Sequence, residues 1–283
     1  MSAGLLQSWI NGQQADQISA LDRGFQYGDG CFETIRVRAN TPILWQAHLD
    51  RLLRGCAQLS INIDSKLLQQ EVSQFLQCNE SKDAILKIIV TRGTGGRGYQ
   101  PNPTSSCNRF LQLFHYTNSK PDAETQGIQC ILCQHRLSSN SALAGLKHLN
   151  RIDQVLASQE IPPSCDEGLC MNQQGFVIEA SKSNLMLVVA GQLITPALLD
   201  CGVAGTMLDY LSQRFTEQGM QIAQQKLTLD DLAGADELFL CNSVFGVWPV
   251  TKVYSDDAVF SWEIGPCTQS AIQIKKELFN HAS

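Results

Sequence analysis

The chain has 283 residues, 43% of them hydrophobic, a formal net charge of −6 at pH 7 and a pI near 5.4. That length and apolar content suffice for a full core in one large or two modest domains. The acidic balance disfavours nucleic-acid phosphates and anionic lipid as partners, so a small-molecule substrate is expected.

No segment reaches the roughly 18 uninterrupted apolar residues of a membrane-spanning helix, and Met1 to Trp9 has neither a basic start nor a sustained apolar stretch. The expected location is the cytoplasm, with no membrane partner. Eleven cysteines, odd in number and scattered through a chain too large to need stapling, read as free buried thiols in a reducing compartment. Cys130-Ile131-Leu132-Cys133 is the one close pair. It lies in an apolar run where a strand points the two sulfurs to opposite faces, and a structural zinc needs about four converging ligands. No metal is expected.

In chain order, Trp9-Ile10-Asn11-Gly12 is an Asn-Gly hairpin signal, and Cys31 to Arg38, Asn40-Thr41-Pro42 and Ile43-Leu44-Trp45 predict a second hairpin. Leu49, Leu52, Leu53 and Cys56 recur at helical spacing, as do Leu68, Val72, Phe75 and Leu76. Strands are expected over 84–91 and 110–115. The polar stretch between Tyr116 and Gly127 carries a proline and reads as a linker. The predicted organisation is α+β, with a small N-terminal α/β domain over 1–119 and a larger domain over 120–283. In the second half, short strands are expected at 128–137, 168–171, 185–189 and 237–241. Amphipathic helices are expected over 150–159 and 206–217, with a closing helix from about 269 to 281. Mixed short strands with glycine turns suggest a barrel-like sheet.

Four segments carry chemistry. Gly145-Leu146-Lys147-His148-Leu149-Asn150-Arg151 predicts a lysine in a glycine-led turn just before a helix. A Schiff-base lysine must lose its proton to attack an aldehyde, which burial and nearby positive charge promote; a solvated loop lysine is the plainer reading. Val177-Ile178-Glu179-Ala180-Ser181-Lys182-Ser183-Asn184 sets a lone acid at a strand end, with turn residues to hold it. Cys201-Gly202-Val203-Ala204-Gly205-Thr206-Met207 leads into a helix whose N-terminal amides suit a phosphate, although a glycine loop capping a helix has the same pattern. Arg51 could add a forked cationic contact. In Phe25 to Val37, a Gly28-Asp29-Gly30 turn precedes a strand that puts Phe32, Thr34 and Arg36 on one face. A hydroxyl there can move protons.

Together these segments resemble the fold-type IV pyridoxal-phosphate family, which includes branched-chain and D-amino-acid aminotransferases, from Trp9-Ile10-Asn11-Gly12 to Trp248-Pro249-Val250. The resemblance implies pyridoxal 5′-phosphate joined to Lys147. It further implies Glu179 at the pyridine nitrogen, with Arg51, Thr206, Met207, Ser243 and Asn184 around the cofactor. It also implies an active site between two domains and a homodimer.

Thr34, where similar branched-chain aminotransferases carry glycine, resembles the family's lyases, as do Lys147-His148-Leu149-Asn150-Arg151 and the loop Thr91 to Tyr99. The implied reaction converts 4-amino-4-deoxychorismate to 4-aminobenzoate and pyruvate, with Lys147 and Thr34 moving protons. Arg97, Tyr99, Tyr27, Asn150 and Arg151 are then expected at the substrate. A branched-chain or D-amino-acid aminotransferase is the alternative reading. The Arg-Gly pairs at 92–93 and 97–98 leave an RNA-binding module as a remote one, with the net charge against it.

Overall fold

The structure of the protein is a computed structural model describing residues 4–79, 83–102 and 105–281; the first three residues of the N-terminal segment read above lie outside the described residues. Two compact units are present. One comprises the chain up to Thr117 together with Leu146–Asn150, and the other Asn118–Gly145 with Arg151–Asn280.

The first unit opens with β1 (Leu5–Ile10) and β2 (Gln13–Gln14), followed by α1 (Arg23–Tyr27), β3 (Gly30–Arg38), β4 (Thr41–Pro42), α2 (Trp45–Gln58), α3 (Ser65–Gln77), β5 (Asp83–Thr91) and β6 (Asn108–His115). The strands form one antiparallel sheet in the order β2-β1-β6-β5-β3-β4. Asn11 and Gly12 take φ of 52° and 79°, the pair of left-handed residues that a tight hairpin requires. Ala39 and Asn40 do the same between β3 and β4.

The second hairpin is shorter than expected. β4 ends at Pro42, Leu44 turns left-handed at φ 53°, and Trp45 already begins α2. An apolar Ile-Leu-Trp run cannot by itself distinguish a strand from a helix start. Along β3 the period-2 rule holds: Cys31, Ile35 and Val37 enter a core with Leu49, Leu52 and Cys56 of α2, Leu68, Val72 and Phe75 of α3, and Leu86, Ile88, Leu111 and Leu113 of the sheet. Phe32 and Thr34 occupy the opposite face.

The second unit contains α4 (Ala123–Gln126), β7 (Ile128–Leu137), α5 (Ile152–Gln159), β8 (Glu167–Asn172), β9 (Val177–Ala180), β10 (Asn184–Val189), β11 (Gln192–Pro196), α6 (Thr206–Glu217), β12 (Ile222–Gln225), α7 (Leu229–Ala233), β13 (Glu237–Asn242), β14 (Gly246–Tyr254), β15 (Val259–Ser261) and α8 (Pro266–His281). Its sheet runs β12-β11-β10-β13-β14-β7-β8-β9, with β15 on β14. β7 is parallel to both β14 and β8, and β12 is parallel to β11, so the sheet is mixed. β9, last in the order, returns against β10 and β11. The sheet therefore curls into the expected barrel-like form.

Cys130 packs in the core with Leu169, Leu185, Leu240 and Trp248, whereas Cys133 packs on the other side with Leu137, Ala157 and Cys170. The close cysteine pair is strand packing, as its spacing indicated. All eleven cysteines are free. β14 was not legible in the sequence because Pro249 argues against a central strand; its pairing with β7 begins one residue later, at Val250.

Candidate active site

Glu179 lies inside β9, 5% exposed, and is not in a surface turn. One carboxylate oxygen accepts the backbone N–H of Val203 at 2.8 Å, and the other accepts Gln154 Nε2 of α5 at 3.3 Å. Arg151, half-buried, is the residue on which α5 begins. The turn joining β9 to β10 is held from below by Glu167, a fully buried carboxylate that accepts the hydroxyls of Ser181 and Ser183.

Asn184, at the start of β10, donates to the carbonyl of Val203 at 2.8 Å. The same loop runs on to Gly205 and into α6, whose N-terminus has no side-chain cap. A Cβ on Gly205 would collide with Asn184 Oδ1, so glycine alone lets the loop pass this close. Thr206 and Met207, both buried, form the first turn of α6, where backbone N–H groups and the helix dipole favour an anion. Ser243 follows β13, two residues beyond Cys241, the register partner of Asn184. Thus Glu179, Asn184, Thr206, Met207 and Ser243 gather at one end of the curled sheet. A carboxylate held by N–H donors and an uncapped helix end fit a protonated pyridine and a phosphate.

Lys147 is in extended backbone and not in a turn. Its carbonyl accepts Phe32 N–H at 2.9 Å, Leu149 N–H donates to Gly30 O at 2.9 Å, and His148 bridges antiparallel to Cys31. These bonds hold the segment antiparallel against the N-terminal end of β3 as an isolated bridge. No periodicity marks it in the sequence, because its partner lies more than a hundred residues away. Gly145, two residues earlier, is likewise tied down by backbone bonds with Gly202 and Ala204.

Lys147 Nζ stands 4.6 Å from the centre of the Phe32 ring. Thr34, two residues along β3, pairs with Lys87 of β5, whose Nζ is 5.7 Å from the same ring. Lysine and hydroxyl thus belong to one polar face, opposite the core.

Arg51 is not a surface arginine. It is 5% exposed, and its Nε and Nη2 donate to the two oxygens of Glu33 at 2.8 and 2.5 Å. His48 Nδ1 lies 2.6 Å from Glu33 Oε2. Burial pushes the Glu33 carboxyl up, but the bonds and charges of Arg51 and His48 outweigh it and hold the acid below the usual carboxylate range. Burial dominates at His48 and depresses its imidazole despite Glu33. With Glu33 ionised and His48 neutral, Nδ1 carries the donated proton. Glu33 and His48 escaped the sequence reading. The available signal was a charge at a core-parity position of β3, with a histidine between the apolar residues of α2.

The loop after β5 is tied by hydrogen bonds to α1. Arg23 is nearly buried and donates to the carbonyls of Gly98 and Tyr99 at 2.8 Å each and to Asp29 at 2.9 Å. Arg92 also donates to Asp29, whose pKa is lowered because these bonds and charges overcome its burial. Tyr99 meets Tyr27 edge to face at 5.6 Å but is 85% exposed, and Arg97 is exposed as well. Asn150 donates to Gly28 O at 3.0 Å. Arg97, Tyr99, Tyr27 and Asn150 therefore belong to the first unit, and Arg151 to the second.

Residues 30–253 match the family model for class IV aminotransferases, and the chain belongs to that family, whose members are pyridoxal 5′-phosphate enzymes. Among individual relatives, it is 35% identical over 268 residues to aminodeoxychorismate lyase of Vibrio harveyi, covering 92% of this chain and 96% of the relative. The crystal structure of 4-amino-4-deoxychorismate lyase from Pseudomonas aeruginosa superposes with a TM-score of 0.91 at 40% identity, covering 96% of this chain and 99% of that one. Branched-chain amino acid aminotransferase from Escherichia coli shares the fold at a TM-score of 0.85 and 22% identity, over 100% of this chain and 96% of that one. Among the described residues no helix is long and apolar enough to cross a membrane.

Proposed function

We propose that the chain converts 4-amino-4-deoxychorismate to 4-aminobenzoate and pyruvate, a step toward folate, as a cytoplasmic homodimer. The observation that carries this reading is the β3 face on which Thr34 stands two residues from Phe32, with Lys147 Nζ above that ring. An aminotransferase needs one lysine to carry a proton to and fro. Elimination of an enolpyruvyl ether also calls for a proton at the departing oxygen, which a second hydroxyl can deliver. The identities to the Vibrio harveyi and Pseudomonas aeruginosa enzymes support the same reading.

Bound pyridoxal phosphate supplies an aldehyde for the substrate amine and a ring that takes up electrons. In this reading Lys147 anchors the cofactor, then removes the proton from the substrate carbon that bears nitrogen. Glu179, fixed by Val203 and Gln154, keeps the pyridine nitrogen protonated. Arg51, Thr206, Met207 and Ser243 would hold the cofactor's phosphate, with Asn184 beside Glu179 among the residues that bind the cofactor. Thr34 hands a proton to the leaving enolpyruvyl oxygen, and loss of that group aromatises the ring, so one substrate gives one 4-aminobenzoate and one pyruvate. Arg97, Tyr99, Tyr27, Asn150 and Arg151 bind the carboxylates and outer edge of the substrate. Association of two copies is supported by Ile152 and Val155, which stand exposed on one side of α5.

The test is an absorbance spectrum of the purified protein and of Lys147→Ala, followed by assay of both products. The expected result is a visible cofactor band lost in the variant, with equal yields of 4-aminobenzoate and pyruvate and no keto-acid requirement. Formation of pyridoxamine phosphate from amino acids without 4-aminobenzoate would make the chain an aminotransferase.

A further inference from the structure

We infer that Glu33 is a positioning residue that aims Arg51 and thereby sets how strongly the site prefers a phosphorylated cofactor. The inference rests on the reading of Arg51 as a phosphate partner. A guanidinium has five donors in one rigid plane, so bonds from Nε and Nη2 to the two oxygens of one carboxylate fix the plane and the direction of every remaining N–H. Glu33 is itself immobilised. It projects from the middle of β3, is 1% exposed, and is gripped at Oε2 by His48. His48 and Arg51 are three residues apart on α2 and so face the same acid.

Stability alone does not account for this cluster. It sits among Cys31, Ile35, Leu49, Leu52 and Cys56, where apolar side chains of similar volume would avoid the desolvation of three polar groups. What an apolar replacement could not provide is a fixed orientation for a fork of donors. An unclamped arginine must lose rotamer freedom when it binds an anion. Here that ordering is completed during folding, before any ligand arrives.

The experiment compares equilibrium binding of pyridoxal 5′-phosphate and of pyridoxal to the full chain freed of cofactor, followed by absorbance and tryptophan fluorescence. The quantity read is the ratio of the two dissociation constants. Glu33→Gln keeps the size and one acceptor but loses the second acceptor and the charge. It is expected to lower the preference for the phosphorylated form by about ten- to a hundredfold, the worth of one charge-assisted hydrogen bond, while pyridoxal binds nearly as in the parent. His48→Gln, which loosens only the grip on Oε2, should lower it less, and it decides the matter if Glu33→Gln does not fold.

Arg51→Lys is the reference. If it leaves the ratio unchanged, Arg51 does not hold the phosphate and both readings fall. If it lowers the ratio while Glu33→Gln or, failing that, His48→Gln does not, the phosphate reading stands and the positioning role is overturned. Equal weakening of both ligands by the Glu33 variant also overturns it, since general loosening of the fold would do the same.

Discussion

Thr34 and His48 illustrate two kinds of polar residue on neighbouring elements, one on the β3 face opposite the core and the other buried within it. Thr34→Val keeps the β-branch that suits a strand and removes only the hydroxyl. The cofactor band should therefore persist while kcat falls about 10²–10⁴-fold, the range for a lost proton donor; unchanged kcat would exclude Thr34 from proton transfer. His48 makes a prediction about stability. Its folded pKa is depressed below the ordinary 6.5, chiefly by burial. Above pH 6.5 both folded and unfolded forms are neutral and the full stability is present. As pH falls below 6.5 the unfolded chain takes up a proton that the folded one resists, and stability is lost until the folded pKa is passed. Glu33, lowered from 4.5, loses its contribution only in more acidic solution. Denaturant unfolding between pH 7 and 5 should show a decline that is shallower in His48→Gln; parallel curves would contradict the assignment.

At the scale of elements, what was legible in the sequence depended on length and on where the partner lies. β7, read as 128–137, and α6, read as 206–217, have the bounds found in the structure, because each carries enough residues to express its period. β11, β12 and β15, at five, four and three residues, are too short to do so. The Lys147 segment was misread because its extended form comes from β3 and not from its own residues. Asn184 and the loop into α6 were each singled out in the sequence, yet their close approach was not, since it depends on one missing Cβ. Gly205→Ala has ordinary helical-entry φ of −78° and suffers only the collision with Asn184 Oδ1. It should cost about 1–3 kcal/mol of stability, through the displaced side chain and its lost bond to Val203. In an Asn184→Ala background the same substitution should cost clearly less, a coupling that a double-mutant cycle measures. Additive costs would mean the two residues do not meet.

Across the whole molecule, the cysteines make a map of solvent access. Cys78 is exposed, Cys165 and Cys267 are intermediate, and the other eight are buried; burial pushes the Cys201 thiol up to about 12, which suppresses the reactive thiolate. An aromatic disulfide reagent should label Cys78 quickly, Cys165 and Cys267 slowly, and the rest only after denaturation. Rapid labelling of more than three thiols would contradict this burial. Leu146–Asn150 belongs to the first unit although the second unit flanks it on both sides in the sequence. On the ribosome, residues 1–117 are synthesised before this segment, and Gly30 and Phe32 must wait for it to complete their side of β3. A gene cut near residue 117 would yield a first half missing the segment that bridges β3 and a second half carrying the lysine with nothing to seat it. The segment that carries Lys147 is thus added to the first unit only after the residues of that unit's own sheet have been made.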